Sequence, residues 1–236
     1  MRLVLAVLMM CFLLPANAEE ADNPFAESYQ AISKSSADPQ IITSPKISQG
    51  DNKDADRQAM LEKGYDLLGY SEFESNEIPA DLALQHAKTI GADEVLVYSY
   101  TAATANSTMK LEKLKESLRK KSTDDSPSKV VISPKVFNYY ASFWTKLPTP
   151  ILGLHVFNRE EEKGQGLMVL AVINDSPAYK AGLKKGDRLQ RINDISLEKP
   201  ESLGQAARQY QGQTIEIEYV RDGVLTKTTA SLNSRK

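Results

Sequence analysis

Apolar and polar positions change their period several times along the chain, and the changes mark its elements. Met60 and Leu61 sit in a short helical run that Gly64 can close. Residues 65–73 (YDLLGYSEF) carry the Tyr, Leu and Phe enrichment of a strand. A second helix has Pro79 in its first turn, Asp81 at the positive end of its dipole, and Ala83, Leu84, Ala87 and Ile90 on one face. Gly91 suits its left-handed C-cap. Residues 95–100 (VLVYSY) predict another strand. The order strand–helix–strand is the core of a small α+β domain over residues 55–147. The aromatic run 136–146 (VFNYYASFWTK) completes its sheet and core, and Pro148 and Pro150 stiffen the joint that follows.

The remainder, residues 148–236, is denser in signals. Residues 151–157 predict a strand, 158–166 a charged loop containing Glu160, Glu161 and Glu162, and the apolar run 167–173 a central strand. Asn174-Asp175-Ser176-Pro177-Ala178 caps a one-turn helix that stops at Gly182. Lys185-Gly186-Asp187 turns into a strand over 188–192, followed by an Asn193-Asp194 turn. Pro200 opens a helix with Leu203, Ala206, Ala207 and Tyr210 along one side, ended near Gly212. Ile215, Ile217 and Tyr219 alternate with Glu216 and Glu218, and Arg221-Asp222-Gly223 makes a tight hairpin.

Two segments lack such order. Residues 19–54 are polar with no sustained period and predict a disordered or tethering arm. Residues 102–135 form an insertion in which Leu111, Leu114 and Leu118 lie among lysines. The expectation is a helix packing three leucines on the first domain. The alternative is weak contact of residues 108–121 with an anionic membrane surface.

Residues 1–18 are set apart. Arg2 precedes the apolar run 3–14, and Ala16-Asn17-Ala18 supplies a small-x-small cleavage pattern. This predicts a signal peptide cut after Ala18 and a periplasmic or secreted protein, since the run is too short to span a bilayer. Cys11 is the only cysteine, so the exported chain has no disulfide, cysteine-ligated zinc or thiol nucleophile. With 29 Lys+Arg against 31 Asp+Glu the net charge is -2, which argues against a nucleic-acid partner.

At this point the residues resemble a family. Ile151-Leu152-Gly153-Leu154, Asp175-Ser176-Pro177-Ala178, Ala181-Gly182-Leu183, Gly186-Asp187 and Ile192-Asn193, in that order, look like a PDZ domain of the circularly permuted, bacterial envelope-protease type. The first domain, through Gly64-Tyr65, Leu68-Gly69-Tyr70, Gly91-Ala92-Asp93 and Phe143-Trp144, resembles one that precedes PDZ domains in secreted bacterial proteins. The resemblance implies an α+β chain: a strand-helix-strand domain, then a PDZ β-barrel or sandwich capped by two helices.

In physical terms, a glycine-centred turn leaves the N–H groups of Leu152, Gly153 and Leu154 free to converge on a carboxylate. Gly153 is expected to let the chain approach the ligand without an intervening Cβ. The strand from Leu154 through His155 and Val156 offers an edge to an incoming peptide. Leu203, Ala206, Ala207 and Tyr210 are expected to form the other wall. Ile151, Leu152, Gly153, Leu154, His155, Val156 and those four helix residues are therefore the candidate peptide-binding set.

Only His86 and His155 are available as imidazoles, and no Gly-x-Ser-x-Gly, H-E-x-x-H, P-loop or G-x-G-x-x-G occurs. The expectation is a non-enzymatic adaptor without cofactor or metal that binds a protein or peptide C-terminus in the cell envelope. Two alternatives stand beside it: a groove filled by the arm after Glu19, and an accessory factor to an envelope protease.

Overall fold

The computed structural model describes residues 22–32, 44–101, 135–158 and 166–234. The expectations for residues 1–18, for the basic segment 108–121 and for Glu160–Glu162 lie outside the described residues. The fold is mixed α and β, with two open sheets.

The first sheet contains β1 (Tyr29–Ala31), β2 (Lys46–Gln49), β3 (Tyr65–Ser75), β4 (Glu94–Thr101) and β5 (Phe137–Lys146), in the order β1-β3-β5-β4-β2. β5 runs antiparallel to both β3 and β4, so the strand–helix–strand unit leaves a slot that the aromatic strand fills. The period of two in β5 explains its continuous apolar character. Tyr139, Ala141 and Phe143 pack with Ala83 and Ala87 of α3 (Asp81–Ile90) on one face. Trp144 packs with Met60 and Leu61 of α2 (Lys53–Glu62) on the other. Both faces are covered, so no polar alternation survives.

Both helix ends follow local chemistry. The Asn52 side chain accepts from the amides of Asp54 and Ala55, while the Asp56 carboxylate reaches back to the amides of Asp51 and Asn52. Gly91 closes α3 at φ 70.

The predicted arm requires correction. Within it, α1 (Pro24–Glu27), β1 and β2 belong to the first unit. Phe25 is fully buried, 4.9 Å from the Phe73 ring centroid, and its carbonyl accepts from Ser71 Oγ at 2.5 Å. β1 pairs with β3, and β2 pairs in parallel with β4. Elements of three or four residues are too short to show a period, and β2 is exposed throughout. One buried aromatic and edge hydrogen bonds hold them instead.

The second sheet contains β6 (Leu154–Phe157), β7 (Leu167–Val172), β8 (Arg188–Ile192), β10 (Thr214–Arg221) and β11 (Val224–Ser231), in the order β11-β10-β8-β7-β6, with β9 (Ile195–Ser196) paired to β8. α4 (Pro177–Lys180) and α5 (Pro200–Gln209) cap its core of Leu167, Val169, Leu189, Ile192, Ile215 and Ile217. Asp222 and Gly223, at φ 51 and 78, give the β10–β11 hairpin its left-handed two-residue turn.

The two sheets are joined by more than the Pro148–Pro150 link. Ala171 of β7 sits in the cluster of Met60, Leu61, Leu67 and Trp144. The Asn174 amide donates to the Glu62 carbonyl at 2.8 Å, and Lys185 Nζ to Gln58 Oε1 at 2.8 Å. Among the described residues no helix is long and apolar enough to cross a membrane.

Candidate functional site

Among the described residues β6 is the last strand of its sheet, and the turn before it is built from the backbone. The carbonyl of Ile151 accepts from the Asn233 amide at 3.0 Å, that of Leu152 from Ala178 at 2.9 Å and that of Gly153 from Ile173 at 3.0 Å. In a planar trans peptide the C=O of one residue and the N–H of the next point in opposite directions. Three carbonyls pinned inward therefore turn the N–H groups of Leu152, Gly153 and Leu154 outward together. No hydrogen bond among the described residues uses these donors. The Gly153–Ile173 bond also makes Leu154–Val172 a non-hydrogen-bonded pair of the ladder, so the Leu154 backbone faces the open edge. Converging, unspent amides form a nest for an anion.

Gly153 serves a different purpose from the one expected. Its φ is 92, and a Cβ there would lie 2.3 Å from Ser176 Cβ, at the N-cap of α4, rather than in the ligand's path. The glycine makes the turn possible and lets it sit against the helix start.

A cavity of about 610 Å³ opens along this edge, within the range usual for ligand pockets. Residues Ile151 to Val156 all line it, as do Leu203 and Ala207. Ala206 and Tyr210 do not. Ala206 is fully buried in the core, and the Tyr210 hydroxyl donates to the Asp194 carboxylate at the far end of the helix. Their places on the wall are taken by Pro200, Gly204 and Arg208. Apolar periodicity finds the stripe of a helix that faces the core, and the groove stripe lies beside it. Among the described residues of the predicted arm, the strands lie in the first sheet and only Ile32 borders the cavity.

The far side of the cavity is formed by the first unit, through Arg57, Leu61, Asp66 and Leu67. His155 is turned to this side. Its Nε2 is buried without a hydrogen-bond partner among the described residues. Burial holds its pKa below the ordinary imidazole value, and the Asp66 carboxylate and Leu61 carbonyl offset part of that. His86 is also lowered by burial, against the rings of Tyr29 at 4.7 Å and Phe143 at 5.0 Å. Among the described residues neither ring has a serine and carboxylate arranged as a triad.

A pH dependence follows from these two rings. Their folded-state pKa values lie below the ordinary 6.5, so the unfolded chain binds the protons more tightly. Stability is flat above that value and falls as pH drops below it. Melting scans between pH 7.5 and 5 should show this fall, and replacing both histidines by leucine should flatten it. An unchanged slope in the double variant would assign the effect to carboxylates.

The PDZ domain family model matches residues 150–232. No curated protein matches the chain. Among solved structures, a variant of the HtrA-type protease AlgW with a decapeptide is 23% identical, over 48% of this chain and 40% of that one, at a TM-score of 0.34. AlgW with a tripeptide is 30% identical over 37% and 32%, at 0.32. The serine endoprotease from Yersinia pestis is 22% identical over 37% and 30%, at 0.31. The chain thus spans 40% or less of the length of these proteases. By that match, residues 150–232, which hold the edge strand, the pinned glycine turn and the flanking helix, are a PDZ domain.

Proposed function

We propose that the protein is an exported, non-enzymatic adaptor whose PDZ domain captures an extended peptide by adding it as a strand beside β6. The simplest ligand is the free C-terminus of another protein of the cell envelope. The observation that carries this reading is the outward set of amides at Leu152, Gly153 and Leu154, next to a strand edge that is unpaired among the described residues and facing the wall of Leu203, Gly204 and Ala207. Export rests on the leader pattern of residues 1–18, and the non-enzymatic reading on the motifs absent from the sequence. Affinity is expected to be modest, because a short peptide loses chain entropy when it docks.

Gly204 offers a clean test. It lies inside α5 on the groove wall, and the nearest atom to a Cβ built there is the flexible guanidinium end of Arg208 at 3.3 Å. Gly204→Phe fills the groove without backbone strain and removes a helix glycine, which gains roughly a few tenths of a kcal/mol before any side-chain rearrangement. Peptide binding should weaken at least about tenfold, a loss of roughly 1.4 kcal/mol, while the melting temperature holds or rises. Undiminished binding by a stably folded variant would remove this groove as the site.

A further inference from the structure

β6 presents alternate faces to two different partners. Leu154 and Val156 pack toward the core under α5. His155 pairs with Ala171, which is buried against the first unit. An antiparallel strand laid beside β6 shares its pleat, and residues directly opposite one another point to the same side. With a terminal carboxylate on the amides of residues 152–154, the last residue stands opposite Leu154 and points toward α5. The penultimate residue then stands opposite His155 and points the other way. In an isolated domain that side chain would meet solvent. Here it enters the part of the cavity walled by Arg57, Leu61 and Asp66.

The charges on that wall are not balanced. Arg57 is exposed, one helical turn before Leu61 on α2. It forms no ion pair among the described residues. The Asp66 carboxylate already accepts from the Leu67 amide at 3.1 Å. Across the groove, the Arg208 guanidinium lies back over Gly204. Two guanidinium groups face one engaged carboxylate and an imidazole that burial keeps neutral.

Resting on the peptide-capture reading above, we propose that the first unit is part of the binding site and reads the penultimate side chain of the ligand. Arg57 makes that position select an acidic residue. The ligand class is a C-terminal peptide with Asp or Glu next to last, and Arg57 is the specificity-determining residue outside the PDZ domain.

The test uses the purified full chain and three labelled peptides identical except for Glu, Gln or Lys at the penultimate position. Fluorescence anisotropy should rank them Glu, Gln, Lys, with Glu about three- to tenfold tighter than Lys, as expected for exposed charge pairs. Arg57→Glu should invert the order, and Asp66→Asn should widen the gap in the wild-type direction. Melting temperatures check that both surface variants remain folded. Equal affinity for the three peptides, or an order that Arg57→Glu leaves intact, would overturn the proposal. If Gly204→Phe still abolished binding in that case, peptide capture by the groove would stand alone. Failure of the wild type to bind any of the three would overturn both readings and place the fault in the first.

Discussion

Replacing Arg221 by methionine is expected to cost about 3 kcal/mol, the low end for breaking a buried ion pair. Asp187 is 1% exposed, and its carboxylate accepts from Arg221 Nε and Nη2, both at 2.7 Å, and from the Lys184 amide at 2.7 Å. The same guanidinium donates to the Gly182 carbonyl at 2.9 Å, so it ties β10 to the two turns that follow α4. Methionine keeps most of the stem but leaves a buried carboxylate with one amide for a partner. The arginine side chain is 31% exposed, which argues for the lower rather than the higher cost. For a domain of this size the melting temperature should fall by roughly 12–24 °C. Adding Asp187→Asn to Arg221→Met should recover part of the loss, because it removes the stranded charge. A cost below about 1 kcal/mol for the single variant would mean that water reaches Asp187.

The second large effect is expected at Gly153. An alanine there must adopt φ 92 and place its Cβ 2.3 Å from that of Ser176. The left-handed conformation alone costs about 1–2 kcal/mol, and the clash adds to it. The turn has little room to yield, since its carbonyls are fixed by Ala178, Ile173 and Asn233. Gly153→Ala should therefore destabilise the domain by at least about 2 kcal/mol and weaken peptide capture as the amides lose their common aim. The partners of the effect can be separated. Ser176→Gly removes the clash at a capping cost of a few tenths of a kcal/mol, so the double variant should regain the steric part and keep the backbone part. Melting curves of the three variants measure both. A neutral Gly153→Ala would show that the turn relaxes freely, against the pinned geometry.

Most of the fold can be read in the sequence where elements are long enough to carry a period or a cap. Pro79 and Gly91 bracket α3, Ser176 and Gly182 bracket α4, and Asp222-Gly223 marks the hairpin. α1, β1 and β2 fall below that length. What secures them is the burial of Phe25 and pairing with strands some forty to fifty positions away, which leaves no local mark.

The candidate site divides in the same way. Residues 151–156 are legible because a glycine turn before a strand is a local pattern. The helix wall is only half legible. Leu203 and Ala207 are apolar and face both core and groove, whereas Gly204 and Arg208 carry no apolar signal and Ala206 faces inward. Arg57 and Asp66 reach the cavity from elements about ninety residues earlier, so only the packing of α2 and β3 against the second sheet reveals them.

The amides before β6 decide the account. Backbone ¹⁵N–¹H spectra of the full chain, titrated with a peptide from a C-terminal display library and with its C-terminally amidated twin, read them one by one. The acid should shift the resonances of Leu152, Gly153 and Leu154 most, with smaller shifts along β6 and α5, and the amidated twin should bind at least about tenfold more weakly. Equal binding of the two forms, or shifts confined to surfaces away from this turn, would contradict it.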